Sequence, residues 1–249
     1  MRSYRFLISI LCLISAIVLS GGTQAHAAIQ HDHFQQQSYT VYQLSDLSQL
    51  RLALYDGKQR PLSSFAAWQQ QLKSCEQLDF AMNAGMFHAG FSPVGLYIEK
   101  QQQLNPLNQS TGFGNFFLKP NGVLAWNQQE AVILTSEQWQ AQHFNADYAT
   151  QSGPMLVIDG KIHPQFIVDS SSKKIRNGVG LKDGTLYFVI SDERVSFYQF
   201  AQFFKTGLGI DQALYLDGTI SSLYSPHLKH TTQRAKLGPM LGVVQSHCK

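Results

Sequence analysis

Charged residues are scarce in this 249-residue chain, making up 14% of it, and neither sign dominates. Two of the 19 basic residues, Arg2 and Arg5, lie in an N-terminal leader that holds none of the 16 acids, which leaves 17 against 16. A chain this close to neutral lacks the basic surface that nucleic acid or an anionic membrane requires, and neither is expected as its main partner. Long hydrophobic runs are missing after the leader, so no stable membrane insertion is expected once the leader is gone. His, Cys and acidic residues form no dense cluster at ligand spacing. No tightly bound metal and no cofactor are therefore expected.

Cysteine is rarer still, with only Cys12, Cys75 and Cys248. Cys12 lies inside the uncharged apolar run Phe6–Leu19, which follows the basic start and precedes Ala25-His26-Ala27. That order is the pattern of a secretory signal with a small-x-small cleavage point, read over residues 1–27, and it implies export to a periplasm or beyond. Two cysteines then remain. In an oxidising compartment an even count permits one disulfide, but spacing alone does not say that the two thiols meet.

The 222 residues after the leader suffice for one domain with a real core. Residues 28–38, with His31-Asp32-His33, read as a flexible polar tail; the domain is expected over 39–249. Apolar runs at Tyr39–Leu44, Leu50–Tyr55, Leu78–Met82, Pro93–Glu99, Phe116–Trp126, Thr185–Ile190 and Gly238–Val244 read as strands. Pro120-Asn121-Gly122 reads as a hairpin turn within one of them. Helical spacing appears over Pro61–Lys73, Thr135–Gln142 and, after a polar cluster at Ser191–Arg194, from Val195 to Leu208, the second with Thr135 and Gln138 at capping-box spacing. Recurrent Asx-Gly turns with few helices predict an α+β class: a single domain rich in antiparallel sheet with a few packed helices.

Four stretches carry chemistry. Leu78–Met82 runs into Asn83-Ala84-Gly85-Met86-Phe87-His88, an amide and a glycine at a strand end. Gln151-Ser152-Gly153-Pro154 leads into a buried strand and an Asp159-Gly160 hairpin. Arg176-Asn177-Gly178-Val179-Gly180 sets a guanidinium beside glycine-rich backbone, which is either a solvated surface charge or a seat for phosphate. Ala213–Leu216 then ends at Asp217-Gly218, followed by Ser221-Ser222. Taken alone, each also reads as an ordinary turn or strand end.

In this order and approximate spacing the four stretches resemble the phosphodiester glycosidase family, over about Tyr39 to Val244. The resemblance implies a hydrolase that cleaves between a sugar's anomeric carbon and a phosphodiester, acting on a small or polymeric phosphoglycan. It implies Asp217, Arg176 and Asn83 as catalytic residues, and Gly85, Gln151, Ser152, Gly153, Gly180, Gly218, Ser221 and Ser222 as substrate-binding. Two departures stand out: the family has glycine at the positions of Ala84, Thr219 and Ile220, and side chains there are expected to narrow the cavity floor.

Glycosidases ordinarily use two carboxylates. A phosphate leaves as a stable anion, so one carboxylate (Asp217) and one cation (Arg176) could suffice, with Glu193 as the outside candidate for a second acid. The alternative is a secreted binding module that holds a phosphorylated glycan without cleaving it.

Overall fold

The computed structural model describes residues 28–228, 232, 233 and 235–248; the predicted leader lies outside them. In chain order the first elements are strands β1 (Ala28–Phe34), β2 (Gln37–Leu44) and β3 (Leu50–Ala53), helix α1 (Phe65–Gln71), and strands β4 (Glu76–Asn83), β5 (Tyr97–Glu99) and β6 (Gln102–Asn105). Next come β7 (Gly122–Trp126), β8 (Ala131–Thr135), α2 (Ser136–Ala141), β9 (Tyr148–Ser152), β10 (Met155–Ile158) and β11 (Lys161–Ile162). The last are β12 (Asn177–Lys182), β13 (Thr185–Ser191), α3 (Phe197–Gln202), β14 (Gln212–Tyr215), β15 (Leu223–Tyr224) and β16 (Met240–Ser246).

All strand pairs are antiparallel, in three sheets ordered β1-β2-β13-β12-β14-β10-β11, β15-β4-β16-β3 and β6-β5-β9-β7-β8. The α+β expectation holds. The sheets share one core, because side chains alternate across each strand. Tyr42, Phe188, Phe80, Met82, Leu241, Leu124 and Trp126 point into it from all three sheets. Tyr39, Val41 and Val189 face the other way, onto Phe200, Phe203 and Phe204 of α3 and the π-helical turn after it. Ala81, Met240 and Val244 face outward onto Phe65 and Trp68 of α1. Val123 and Ala149 pack with Trp139 of α2. Each outer face thus has its own helix, and each fully buried large side chain contributes about 1.5–3 kcal/mol of hydrophobic stabilisation.

Local chemistry sets the ends. Thr135 and Gln138 form the expected capping box on α2, and Ser196 with Gln199 forms another on α3. The third predicted helix therefore starts at Phe197 and not at Val195, because Ser196 caps it. Asp159-Gly160 and Asp183-Gly184 take positive φ at two hairpins, as their sequence requires. A disulfide joins Cys75, just before β4, to Cys248, just after its neighbour β16, with a Cα–Cα distance of 5.0 Å.

Two expectations are corrected. Residues 28–38 are not a tail: β1 pairs residue for residue with β2 from Ala28↔Gln43 to Phe34↔Gln37, and Ile29 and Phe34 pack against the core. No hairpin forms at Pro120-Asn121-Gly122. Asn121 is fully buried there, donating to the Phe116 carbonyl and accepting from the Ser136 hydroxyl, while Gly122 opens β7.

Candidate active site

The end of β4, the start of β12 and the loop after β14 meet at one place. Asn83, the last residue of β4 and 1% exposed, is the hub. Its Nδ2 donates to the Asp217 carbonyl at 2.7 Å, and its Oδ1 accepts from the Ser222 amide at 2.8 Å and from Asn177 Nδ2 at 3.1 Å. The Asp217 amide donates to the Ala84 carbonyl. Ser221 Oγ has three acceptors within reach, the Ile175 and Gly218 carbonyls and Asn177 Oδ1. Ser222 Oγ donates to the Ile220 carbonyl. The Asp217–Ser222 turn is therefore held by the Asn83 and Asn177 amides, and the Asp217 side chain is left half-buried at its start.

Arg176 lies behind this turn, 1% exposed. Its Nε donates to the Val195 carbonyl, one Nη to the Ser172 carbonyl and the other, at 3.3 Å, to the Tyr215 hydroxyl. The guanidinium carbon stands 3.6 Å from the centroid of the Phe197 ring and 5.5 Å from that of Tyr215. Among the described residues no carboxylate forms an ion pair with it. Burial lowers its pKa, with Tyr215 as the only opposing partner.

Tyr215 links this cation to Asp217. Tyr215 ends β14 and Asp217 follows two residues later, near enough for its charge to act on the Tyr215 hydroxyl. The Tyr215 pKa is pushed up to about 12, first by burial, with Arg176 opposing and the Asp217 charge adding. The neighbouring Gly218 N–H favours its ionised form, and a Cβ at Gly218 would overlap the Tyr215 hydroxyl. Glycine is therefore required at 218. Tyr215 was not among the residues expected from sequence, because an aromatic in an apolar strand reads as core. Its spacing of two from Asp217 was the available signal.

A third group borders both. A Cβ at Gly85 would sit 2.5 Å from the Gln151 carbonyl oxygen, so the chain after β4 lies directly on β9. The Gln151 amide is wholly engaged within the protein: Oε1 accepts from the Leu96 and Asn108 amides, and Nε2 donates to the Asn108 carbonyl and Ser136 Oγ. Ser152 differs, because its fully buried hydroxyl has no partner among the described residues. Gly153 packs tightly on Asn121, and the next carbonyl, that of Pro154, accepts the Tyr215 N–H.

Asn83, Asp217, Gly218, Ser221 and Ser222 thus come together, Arg176 joins them through Tyr215, and Gly85, Gln151, Ser152 and Gly153 form the adjoining wall. Gly180 does not join them. It pairs with Tyr187 and Ala213 in mid-sheet, where a Cβ would meet Phe204 and Ile210 within 3 Å. Close packing under α3 explains that glycine. Glu193 accepts from the Ser38 amide and hydroxyl, which anchors the β1–β2 hairpin. The side chains of Ala84 and Ile220 pack into the core clusters, so these two departures from the expected glycines do not narrow a cavity floor.

The profile of the phosphodiester glycosidase family matches residues 76–244, which include every motif above but start later than the resemblance read from Tyr39. YigE, an uncharacterised protein of Escherichia coli K12, is 41% identical over 154 residues, covering 61% of this chain. The match spans 60% of that relative's length. The catalytic domain of zebrafish N-acetylglucosamine-1-phosphodiester α-N-acetylglucosaminidase, auto-inhibited by its pro-peptide, shares the fold. It superposes with a TM-score of 0.58 over 87% of this chain and 81% of that one, at 15% identity.

Proposed function

Because the chain belongs to the phosphodiester glycosidase family, we propose that it hydrolyses the bond between a sugar's anomeric carbon and a phosphodiester, with Asp217 as the reacting carboxylate. The observation that carries this reading is the layered arrangement of Asp217, the Tyr215 hydroxyl and the buried Arg176. A buried guanidinium with no carboxylate counter-ion among the described residues projects positive potential through Tyr215 toward the turn at Gly218. An anionic phosphodiester beside that turn would be stabilised there, and more strongly as its bridging oxygen gains charge.

In the reaction the anomeric C–O bond breaks and its electron pair stays on the phosphate oxygen. Asp217 either attacks the anomeric carbon, with water later displacing it, or takes a proton from the attacking water. Water supplies the new hydroxyl of the sugar, and its remaining proton goes to solvent or to the phosphomonoester. Arg176 is a positioning residue in this scheme and acts through Tyr215. Asn83, Ser221 and Ser222 hold the turn. Export belongs to the same proposal, and the Cys75–Cys248 bridge favours it, since such bridges persist in oxidising compartments.

Silent binding of a phosphorylated glycan is the second reading. It is favoured by the near-complete burial of Arg176 and by the engagement of the Gln151 amide with the protein itself. The test is sugar release from a panel of α-linked sugar-1-phosphodiesters. Release by the wild type, with a loss of about a thousandfold or more in Asp217→Asn, supports the enzyme. A fully active Asp217→Asn removes the assigned role, and tight binding without release selects the second reading.

A further inference from the structure

A groove of about 560 Å³ lies beside Ile175, the residue before Arg176, between the end of the seven-stranded sheet and the edge strand β15. Its walls are built from the backs of the motif residues. Ser191 Oγ accepts the Arg176 N–H, and the Ile175 carbonyl is within reach of the Ser221 hydroxyl. Ile175, Ile190, Leu223 and Leu228 make its apolar floor.

The rim is polar, and its hydrogen-bond directions can be assigned. Thr40 has one hydroxyl proton, which goes to Asp192 Oδ1 at 2.9 Å because a carboxylate only accepts. At 3.2 Å His31 Nδ1 must then be the donor to Thr40. His227 Nε2 lies 3.0 Å from Asp79 Oδ1, and the other Asp79 oxygen takes the Tyr42 hydroxyl, so His227 is the donor there. Two imidazoles, each held by its own carboxylate or hydroxyl, thus line one groove together with Asp192, Thr40, Ser191 and Thr232. The Asp192 carboxylate disfavours an anion, the hydroxyl and imidazole groups suit a ligand rich in hydroxyls, and the apolar floor suits the C–H faces of sugar rings.

We infer that this groove binds a neutral glycan, as the subsite for the chain that carries the scissile phosphodiester. The link to that substrate rests on the glycosidase reading; the groove's own chemistry does not. The experiment is calorimetric titration of the full chain at pH 8 with maltohexaose, chitohexaose and mannohexaose. Two variants run alongside, the double His31→Ala/His227→Ala and Leu228→Arg, which obstructs the floor without touching either carboxylate. Expected is millimolar or tighter binding of one hexasaccharide, weakened at least tenfold in both variants, with release from a methyl sugar-1-phosphodiester unchanged. No binding across the panel, or equal binding by wild type and both variants, overturns the inference. Absence of sugar release alone would count against the glycosidase reading and leave the calorimetric result standing.

Discussion

Two buried polar layers flank the Asp217 turn, and they differ in how their hydrogen bonds are met. On one side Asn83 and Asn177 satisfy each other, two serines and the backbone of the turn, so that each amide works as an internal brace. On the other side the Arg176 charge has no carboxylate partner and the Ser152 hydroxyl no partner among the described residues. Burying a charge against carbonyls and rings alone, or a hydroxyl without a partner, costs stability, and proteins retain such groups mainly where function requires them. The braced layer therefore holds the turn, and in the proposed function the under-satisfied layer lends its charge to that turn through Tyr215.

The largest effect that would break this comparison is expected in the braced layer. Asn83→Ala takes the side-chain partner from the Ser222 amide and the Asp217 carbonyl together, and leaves the Asn177 amide only the Asn83 backbone carbonyl. At about 1–3 kcal/mol for each unmet buried group, the loss should reach about 2–4 kcal/mol, a large part of a typical domain's stability. Urea unfolding measures it. A loss under about 1 kcal/mol would mean that Asn83 is not a brace. Next is Arg176→Lys, which keeps the charge but loses the planar fork. Sugar release should fall about a hundredfold, roughly 2.7 kcal/mol of transition-state stabilisation, while stability drops by about half as much. Equal losses in both assays would make Arg176 a brace as well.

Tyr215→Phe sharpens the distinction further, because it removes only the hydroxyl between Arg176 and Gly218. About a tenfold fall in kcat/KM is expected, with stability within about 1 kcal/mol of wild type. An unchanged kcat/KM would disconnect the cation from the turn.

The braced layer was the more legible of the two in sequence, because Asn83, Asp217, Ser221 and Ser222 sit in stretches whose residue types announce a strand end. Arg176 was legible as a cation but not as a buried one. Its burial depends on Phe197, twenty-one residues further on, and on a carbonyl at Ser172 in an irregular loop. Tyr215 was hidden by looking like core, which it also is. Gly180 misled in the opposite way: it falls in a motif, but packing under Phe204 and Ile210 accounts for it. The β1 strand escaped notice because His31, Asp32 and His33 give no apolar alternation, and its order comes from backbone pairing with β2 and from the packing of Ile29 and Phe34. Without that pairing the groove beside Ile175 would lose His31 and one of its walls.

The smallest predicted effect concerns the loop that carries Ser172 to Arg176. His163 at its base donates from Nε2 to the Lys119 carbonyl and accepts the Gln165 amide at Nδ1, so its ring is neutral in the folded protein. It stacks on Phe166, which stacks on Phe197, the ring beneath the guanidinium. Burial holds its pKa below the ordinary 6.5, with the Lys119 bond opposing. The unfolded chain therefore binds a proton at His163 before the folded one does. Its contribution is complete above about pH 6.5 and is lost as the pH falls through the depressed folded value. Between pH 7.5 and 5.5 the wild type should lose more stability in urea than His163→Gln, which keeps polar atoms but cannot titrate. Equal losses would show that the base of the loop does not respond to protonation. A larger loss in the wild type, accompanied by a parallel fall in sugar release, would tie the cationic layer to this loop and extend the under-satisfied half of the site out to His163.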